Sequence, residues 1–138
     1  MDKRLFFLIS KAKHRMFKYA EVHCEDRLGI TVTQAAAVMF IGKSEGCLQK
    51  ELAKTLGLNN SAVTGLVGRM IKNKLIIRQT CDEDARASRL FLAELGQAKL
   101  PEIRPLIQEI NQKLTHGFSE DEINIVLKFL NNIVDDFK

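Results

Sequence analysis

Cationic side chains are concentrated in the middle of the chain. Between residues 48 and 92, Lys and Arg exceed Asp and Glu by four, and the remainder of the chain sums to zero. Within this region the segment CDEDARASRLFL, residues 81–92, sets three consecutive acids against Arg86 and Arg89. A basic middle between neutral ends favours one face that binds a polyanion. The alternative is a solvated surface, which is the more common role of exposed lysines.

The segment NNSAVTGLVGRMIKNK, from residue 59, has the spacing of a helix whose two faces differ in chemistry. Its apolar stripe consists of Val63, Leu66, Val67, Met70 and Ile71. The opposite face is small, hydrogen-bonding and cationic, and no acid occurs along the helix. That face consists of Ser61, Thr64, Gly65, Gly68, Arg69 and Lys72. Asn59 is a suitable N-cap for this helix.

A short helix, LQKELAKTLGL, precedes the cationic helix, and Gly57 supplies the turn between them. Two short helices joined in this way match a helix-turn-helix, whose second helix enters the major groove of DNA. A plain helical hairpin is the alternative. The next segments, LIIRQT (75–80) and RLFLA (89–93), are rich in β-branched and apolar residues and flank a polar connection. This β-hairpin directly after the helix predicts a wing.

Long amphipathic helices are predicted on both sides of this region. The first covers residues 5–28 and can end at Gly29, and a capping box of Thr31 and Gln34 opens a second over Val32–Gly42. From residue 94 the chain turns helical again, with Pro101 and Pro105 expected to bend the helix or delay its start. A second capping box, Ser119 and Glu122, opens the last helix.

The apolar faces of the two end helices are too long for a lobe of about 60 residues to cover. We therefore expect them to cover each other across the two-fold axis of a homodimer. Such a dimer would carry two recognition helices, which suits two half-sites about one helical turn apart on DNA.

Composition and length limit the other function classes. The chain has 138 residues, of which 46% are hydrophobic and 28% charged, as expected for one globular domain. The N-terminal apolar run is short and broken by lysines, which fits neither a signal peptide nor a membrane span. Cys24, Cys47 and Cys81 are odd in number and widely spaced, which favours a reducing cytoplasm.

These motifs together resemble the MarR family of winged helix-turn-helix regulators, named for multiple antibiotic resistance. The landmarks are LGITVTQ, ELAKTLGL, SAVTGLVGRM, DARASRLFL and ELGQ, and the most specific is the wing pattern formed by Asp84, Arg86 and Leu90. The resemblance implies a mainly α fold with a small β-hairpin wing. It implies one domain over 1–138, with a winged helix DNA-binding lobe at 30–93 and helical dimerisation regions at 1–29 and 94–138.

The resemblance also implies roles for individual residues. Arg86 would enter a narrow, A·T-rich minor groove, and Asp84 would hold Arg86 or Arg69 in position by a charge-assisted bond. The alternative for these residues is a solvated turn with weak ion pairs. Base and phosphate contacts are expected from Asn60, Ser61, Thr64 and Arg69. Contacts to phosphate alone are expected from Lys50, Lys54, Lys72 and Arg89.

Two departures from the family pattern affect local structure. Lys74 stands where a Gly commonly closes the recognition helix, so a left-handed C-cap must be avoided, supplied by Asn73 or adopted at a cost. Ala93 stands where a Thr often caps the next helix, a loss of roughly 1 kcal/mol.

The implied function is a sequence-specific, double-stranded DNA-binding regulator, a ligand-responsive repressor that binds a pseudo-palindromic operator as a homodimer. A winged helix adaptor acting through protein contacts and a thiol-based redox sensor remain alternatives. For the sensor, Cys47 is the best placed thiol, since Lys43 is near and a helix begins close by.

A small aromatic or phenolic effector is a further implied partner. Its predicted pocket is lined by His14, Arg15, Tyr19 and His23, although the same residues also suit an interface or an exposed helix surface. No chelating motif, P-loop or nucleophile elbow is present, so we expect no metal, cofactor or enzymatic activity.

Overall fold

The computed structural model describes the backbone of residues 1–81 and 84–138 and the side chains of residues 1–80 and 87–138. Its elements are α1 (Leu5–Leu28), α2 (Val32–Lys43), β1 (Cys47–Leu48), α3 (Gln49–Leu56), α4 (Asn60–Lys72), β2 (Ile76–Cys81), β3 (Asp84–Leu92), α5 (Glu94–Thr115) and α6 (Glu120–Asp136). The fold is mainly helical with a small antiparallel sheet, which confirms the predicted class. The chain forms two compact units, Met1–Leu106 and Ile107–Lys138.

Helix ends in the first unit follow the predicted local chemistry. Gly29 ends α1 in the left-handed conformation at φ 67°. At the start of α2, the Thr31 hydroxyl accepts from the Gln34 N–H at 3.1 Å, and the Gln34 amide oxygen accepts from the Thr31 N–H at 3.2 Å. The Glu21 carboxylate on α1 accepts from the Val32 N–H at 3.0 Å, so a long-range contact completes this N-terminus.

Lys74 adopts the left-handed conformation that the family pattern usually assigns to Gly. Asn73, the C-cap of α4, stays at φ −84°, and Lys74 follows at φ 62°. The left-handed conformation is therefore neither avoided nor supplied by Asn73, and Lys74 adopts it at a cost. A side chain in this region meets its own backbone, at roughly 1–2 kcal/mol.

The sheet has the strand order β1-β3-β2, with both pairs antiparallel. β3 begins at Asp84, five residues before the predicted start of the return strand at Arg89. The prediction was wrong because it relied on the apolar-rich segment RLFLA, whereas backbone pairing with β2 requires no apolar side chains. The two-residue β1, which pairs Cys47 with Leu90, was not predicted.

The core of the first unit lies beneath the helix-turn-helix and the sheet. Its fully buried side chains include Ile41, Leu52, Met70, Leu75 and Leu90. Gly96, in the first turn of α5, lies so close to Leu75 that a Cβ there would collide with the Leu75 carbonyl oxygen. The N-terminal part of α5 is therefore held directly against the start of β2.

The α5 helix begins at Glu94 and includes Pro101 and Pro105, so of the two predicted effects of the prolines, a bend or a delayed start, the delayed start was wrong. Each proline lacks a backbone N–H donor and therefore removes one helical hydrogen bond. Two residues after Pro101, Ile103 is almost completely buried.

In the second unit, Ser119 and Glu122 form the predicted capping box of α6, with hydrogen bonds of 2.9 and 3.2 Å. None of the residues of α6, all of which the structure describes, is buried. Val126, Leu127 and Leu130 are 44–51% exposed, and Ile125 and Val134 are 69% and 73% exposed. An exposed apolar face of this extent is typical of an interaction surface. Separately, no helix in the described parts of the chain has the length and apolar character of a bilayer span.

Candidate nucleic-acid interface

The α4 helix separates its buried face from an exposed cationic face, as predicted. Val63, Leu66, Val67 and Met70 are buried. The Asn59 side chain caps the helix by accepting from the Ala62 N–H at 2.8 Å, which fixes where the first turn begins. The predicted DNA-contacting residues on this helix are all exposed: Asn60, Ser61, Thr64, Arg69 and Lys72. Lys50 and Lys54, on α3, are exposed as well.

The Arg69 side chain folds back along α4 over Gly65. A Cβ built at Gly65 would lie 3.1 Å from the Arg69 Nη1 atom. Gly65 therefore leaves room for the guanidinium to lie close to the helix surface. The sequence reading placed both residues on this face but missed their contact, for which the i, i+4 spacing is the available signal.

A groove of about 500 Å³ lies where α3 and α4 begin. Three of the predicted contact residues, Lys50, Asn60 and Thr64, line it together with Gln49 and Val63. The Gln49 Nε2 atom donates to the Thr64 hydroxyl at 3.3 Å. Gln49 was absent from the predicted contacts, because nothing in the local sequence shows that the two helices bring these side chains together.

Arg89 is tied to the loop that precedes β1. Its Nη1 atom donates to the Gly46 carbonyl oxygen at 2.9 Å, while the Gly46 N–H donates to the Leu90 carbonyl at 2.8 Å. In the same loop, the Glu45 carboxylate accepts from the Leu92 N–H at 3.1 Å. Arg89 was predicted to contact phosphate, and the structure gives it a contact within the protein at the root of the hairpin.

The predicted pair of Asp84 and Arg86 belongs to β3 by its backbone. The two side chains lie outside the part of the chain whose side chains the structure describes. Their proposed roles in the wing therefore stay predictions.

Three of the four residues predicted to line an effector pocket come together on α1. Arg15, Tyr19 and His23 line one open groove of about 320 Å³, and the Tyr19 and His23 rings lie 4.2 Å apart between centroids. His14 lines a neighbouring groove with Phe17 instead.

A larger cleft of about 490 Å³ lies between α1, α2 and α4. Glu21 and Glu25 of α1 form one wall, and Ser61 and Arg69 of α4 form another. Sequence reasoning missed this cleft because its walls come from segments about 40 residues apart. Its position places two predicted DNA-contacting residues at its edge.

The structure does not supply the environment expected of a redox-active thiol at Cys47. Cys47 is buried, and burial raises the pKa of its thiol, with further raising by the charges of Glu51 and Glu45. Burial, followed by the charge of Glu21, also raises the pKa of Cys24. Both effects disfavour the reactive thiolate. Within the described residues, no group of three or more potential metal ligands is found.

Comparison with known proteins agrees with this geometry. Residues 28–87 match the model of the MarR family. Over nearly its whole length the chain is similar in fold to MepR of S. aureus in a DNA complex, with 21% identity and a TM-score of 0.90, covering 99% of this chain and 100% of that chain. It is similar to the transcriptional regulator SlyA, with 19% identity, a TM-score of 0.88 and coverages of 97% and 94%.

The chain is also similar to a probable transcriptional regulator from Pseudomonas aeruginosa, with 25% identity and a TM-score of 0.80, covering 96% of this chain and 98% of that chain. The family match covers most of the predicted winged helix lobe, and the similarity in fold extends to the helices on both sides.

Proposed function

Because this chain belongs to the MarR family of winged helix transcriptional regulators, we propose that it binds double-stranded DNA sequence-specifically and represses transcription as a homodimer on a pseudo-palindromic operator. The observation that carries the proposal is the exposed, acid-free and cationic face of α4. A helix of this kind can place hydrogen-bonding side chains against base edges while its cations neutralise phosphates.

The arrangement around α4 supports the proposal. Lys50 and Lys54 on α3 add exposed cations beside the recognition helix. The hairpin follows directly, and its root is fixed by the Arg89 and Glu45 hydrogen bonds. From the family wing pattern, we assign contact with the minor groove to Arg86. We assign to Asp84 the role of holding Arg86 in position. The MepR structure with a similar fold is a DNA complex.

Homodimer formation is supported by apolar surface in each unit. In the first unit, Leu5, Phe6 and Phe7 of α1 are at least 62% exposed. In the second unit, the apolar residues of α6 are unburied. A dimer that covers these surfaces would present two α4 helices to two half-sites. We assign the dimerisation role to residues 1–29 and 94–138 of a single domain, and the DNA-binding role to residues 30–93.

Ligand response is supported by the cleft between α1, α2 and α4. Because Ser61 and Arg69 form part of its wall, a small molecule bound there would compete with DNA for the same side chains. The groove at Arg15, Tyr19 and His23 is the second place for a small aromatic effector. A repressor released in this way acts in the cytoplasm and needs neither a cofactor nor catalytic activity.

Binding of the purified protein to duplexes from the region upstream of its gene tests the proposal. We expect a salt-dependent shift and protection of two half-sites about 10 base pairs apart. Arg86→Ala should weaken binding at least tenfold and leave the oligomeric state unchanged. An absence of any duplex binding at about 50 mM salt would favour the protein-contact adaptor instead, because several phosphate contacts should be strongest there.

A further inference from the structure

The side chains of Gln49 and Thr64 form a hydrogen-bonded pair across the two helices of the helix-turn-helix. Gln49 is the first residue of α3, and Thr64 lies in the second turn of α4. The Gln49 Nε2 atom donates to the Thr64 Oγ1 atom at 3.3 Å. Both line the groove that Lys50 and Asn60 share. The pair is therefore on the surface that, under the proposed function, faces DNA.

The bond changes what each side chain can offer to a base. One hydrogen of the Gln49 amide is used by Thr64, so the amide keeps one N–H donor and its carbonyl acceptor. Adenine presents the complementary set in the major groove, with N7 as acceptor and the N6 amino group as donor. Holding the long glutamine side chain in place before binding also reduces the entropy lost on recognition.

Packing of α3 on α4 does not require this bond. Leu52 and Ala53 of α3 and Val63 and Val67 of α4 are buried, and burial of this apolar surface is the larger stabilising effect. An exposed hydrogen bond between two neutral side chains contributes little against water. Its more specific consequence is the fixed position of the amide in the groove.

We propose that Gln49, braced by Thr64, reads an adenine in each operator half-site. The inference rests on the proposed function, since it requires that α4 enter the major groove. Thr64 acts here as a positioning residue for Gln49 as well as a groove residue in its own right. Lys50, next to Gln49 in the chain, supplies a cation for the neighbouring phosphate.

Selection of bound duplexes from a randomised pool tests the inference, with wild type, Gln49→Ala, Gln49→Glu and Thr64→Val compared. The wild-type consensus should contain one adenine per half-site that Gln49→Ala loses, with discrimination falling about tenfold or more at that position. Gln49→Glu should change the preferred base from adenine to cytosine, because a carboxylate can only accept, and cytosine presents its N4 amino group as donor. Valine has the shape of threonine but cannot accept the Gln49 hydrogen bond. In Thr64→Val the adenine preference should therefore weaken without changing to another base.

Lys54→Gln is the matched control, because it removes an exposed cation from α3 and should weaken all sequences equally without altering the consensus. Thermal unfolding of each variant separates folding from recognition. If Gln49→Ala retains the adenine, or weakens every duplex by the same factor, the inference is wrong and the proposed function stands. If the wild type selects no consensus at all, both are overturned.

Discussion

The Arg89 Nη1 atom donates to the Gly46 carbonyl oxygen at 2.9 Å, joining β3 to the loop that precedes β1 across 43 residues of sequence. The neighbouring Glu45 carboxylate receives the Leu92 N–H, so two side-chain bonds fix the root of the hairpin. The orientation of a wing depends on its root, because a small rotation there moves the tip by several ångströms. We infer that this structural contact replaces the phosphate contact predicted for Arg89.

We expect Arg89→Gln to leave the salt dependence of DNA binding nearly unchanged. Glutamine loses the charge and keeps an N–H donor, on a side chain two bonds shorter than that of arginine. A lost phosphate contact would instead reduce the slope of log affinity against log salt by about 0.9. Fluorescence anisotropy between about 50 and 200 mM salt measures this slope. Lys72→Gln is the control that should reduce this slope. An equal reduction for Arg89→Gln would show that Arg89 contacts phosphate.

The two described thiols should resist alkylation. Burial raises the pKa of Cys24 and Cys47 above the ordinary value of 9.0. Because their folded-state pKa is raised, the stability that they contribute is fully present below pH 9.0 and is lost as the pH rises through the folded value. In a Cys81→Ser background, iodoacetamide at pH 8 should react slowly with the folded protein and rapidly in urea. Peroxide should leave DNA affinity unchanged, whereas a reversible loss abolished by Cys47→Ser would establish redox sensing.

Replacing Lys74 with glycine should stabilise the protein. Lys74 sits at φ 62°, where glycine meets no Cβ penalty, so the gain is about 1 kcal/mol, or about 3 °C in the melting temperature. Lys72→Gly is the matched control, since Lys72 is the last residue of α4 and glycine there loses helix propensity. Differential scanning calorimetry should give shifts of opposite sign for the two variants. An equal loss for both would show that the Lys74 side chain contributes more than its backbone costs.

Features that depend on neighbouring residues were predicted from the sequence, and features that depend on distant ones were not. The caps at Thr31, Asn59 and Ser119 were correct because a side chain and the backbone two or three residues away decide them. The bonds from Gln49 to Thr64 and from Arg89 to Gly46 join residues 15 and 43 apart. No local pattern indicates such pairs, because they arise only when the elements pack.

The same distinction explains the errors in the hairpin and in α5. The start of β3 was placed at Arg89, where the apolar-rich segment RLFLA begins, although polar residues pair equally well through the backbone. A delayed start of α5 was one of the two effects predicted from its prolines, although the helix begins at Glu94 and includes both of them. The cationic face of α4 was predictable because it depends on helical periodicity alone.

A negative charge on the apolar face of α6 should dissociate the proposed homodimer. Leu127 is 51% exposed within its own unit and belongs to the apolar stripe of the helix. In Leu127→Glu, a dimer would bury one unpaired carboxylate from each subunit, at a large cost. The molar mass measured by sedimentation equilibrium should fall from that of a dimer, twice the 15.6 kDa chain mass, to that of a single chain. Lys128→Glu, one residue away and off the stripe, should stay dimeric, and a dimeric Leu127→Glu variant would exclude this face from the interface.

Adding one methyl group at Gly96 should destabilise the first unit by more than about 2 kcal/mol. The new Cβ would collide with the Leu75 carbonyl oxygen, which already accepts from the Ala93 N–H at 3.0 Å, so either the hydrogen bond or the position of α5 must change. Gly68→Ala is the matched control. A Cβ there meets no described atom within 4 Å, and alanine favours the helix by roughly 1 kcal/mol. Urea unfolding should therefore give a lower midpoint for Gly96→Ala and a higher one for Gly68→Ala; a neutral Gly96→Ala would mean that α5 moves freely against β2.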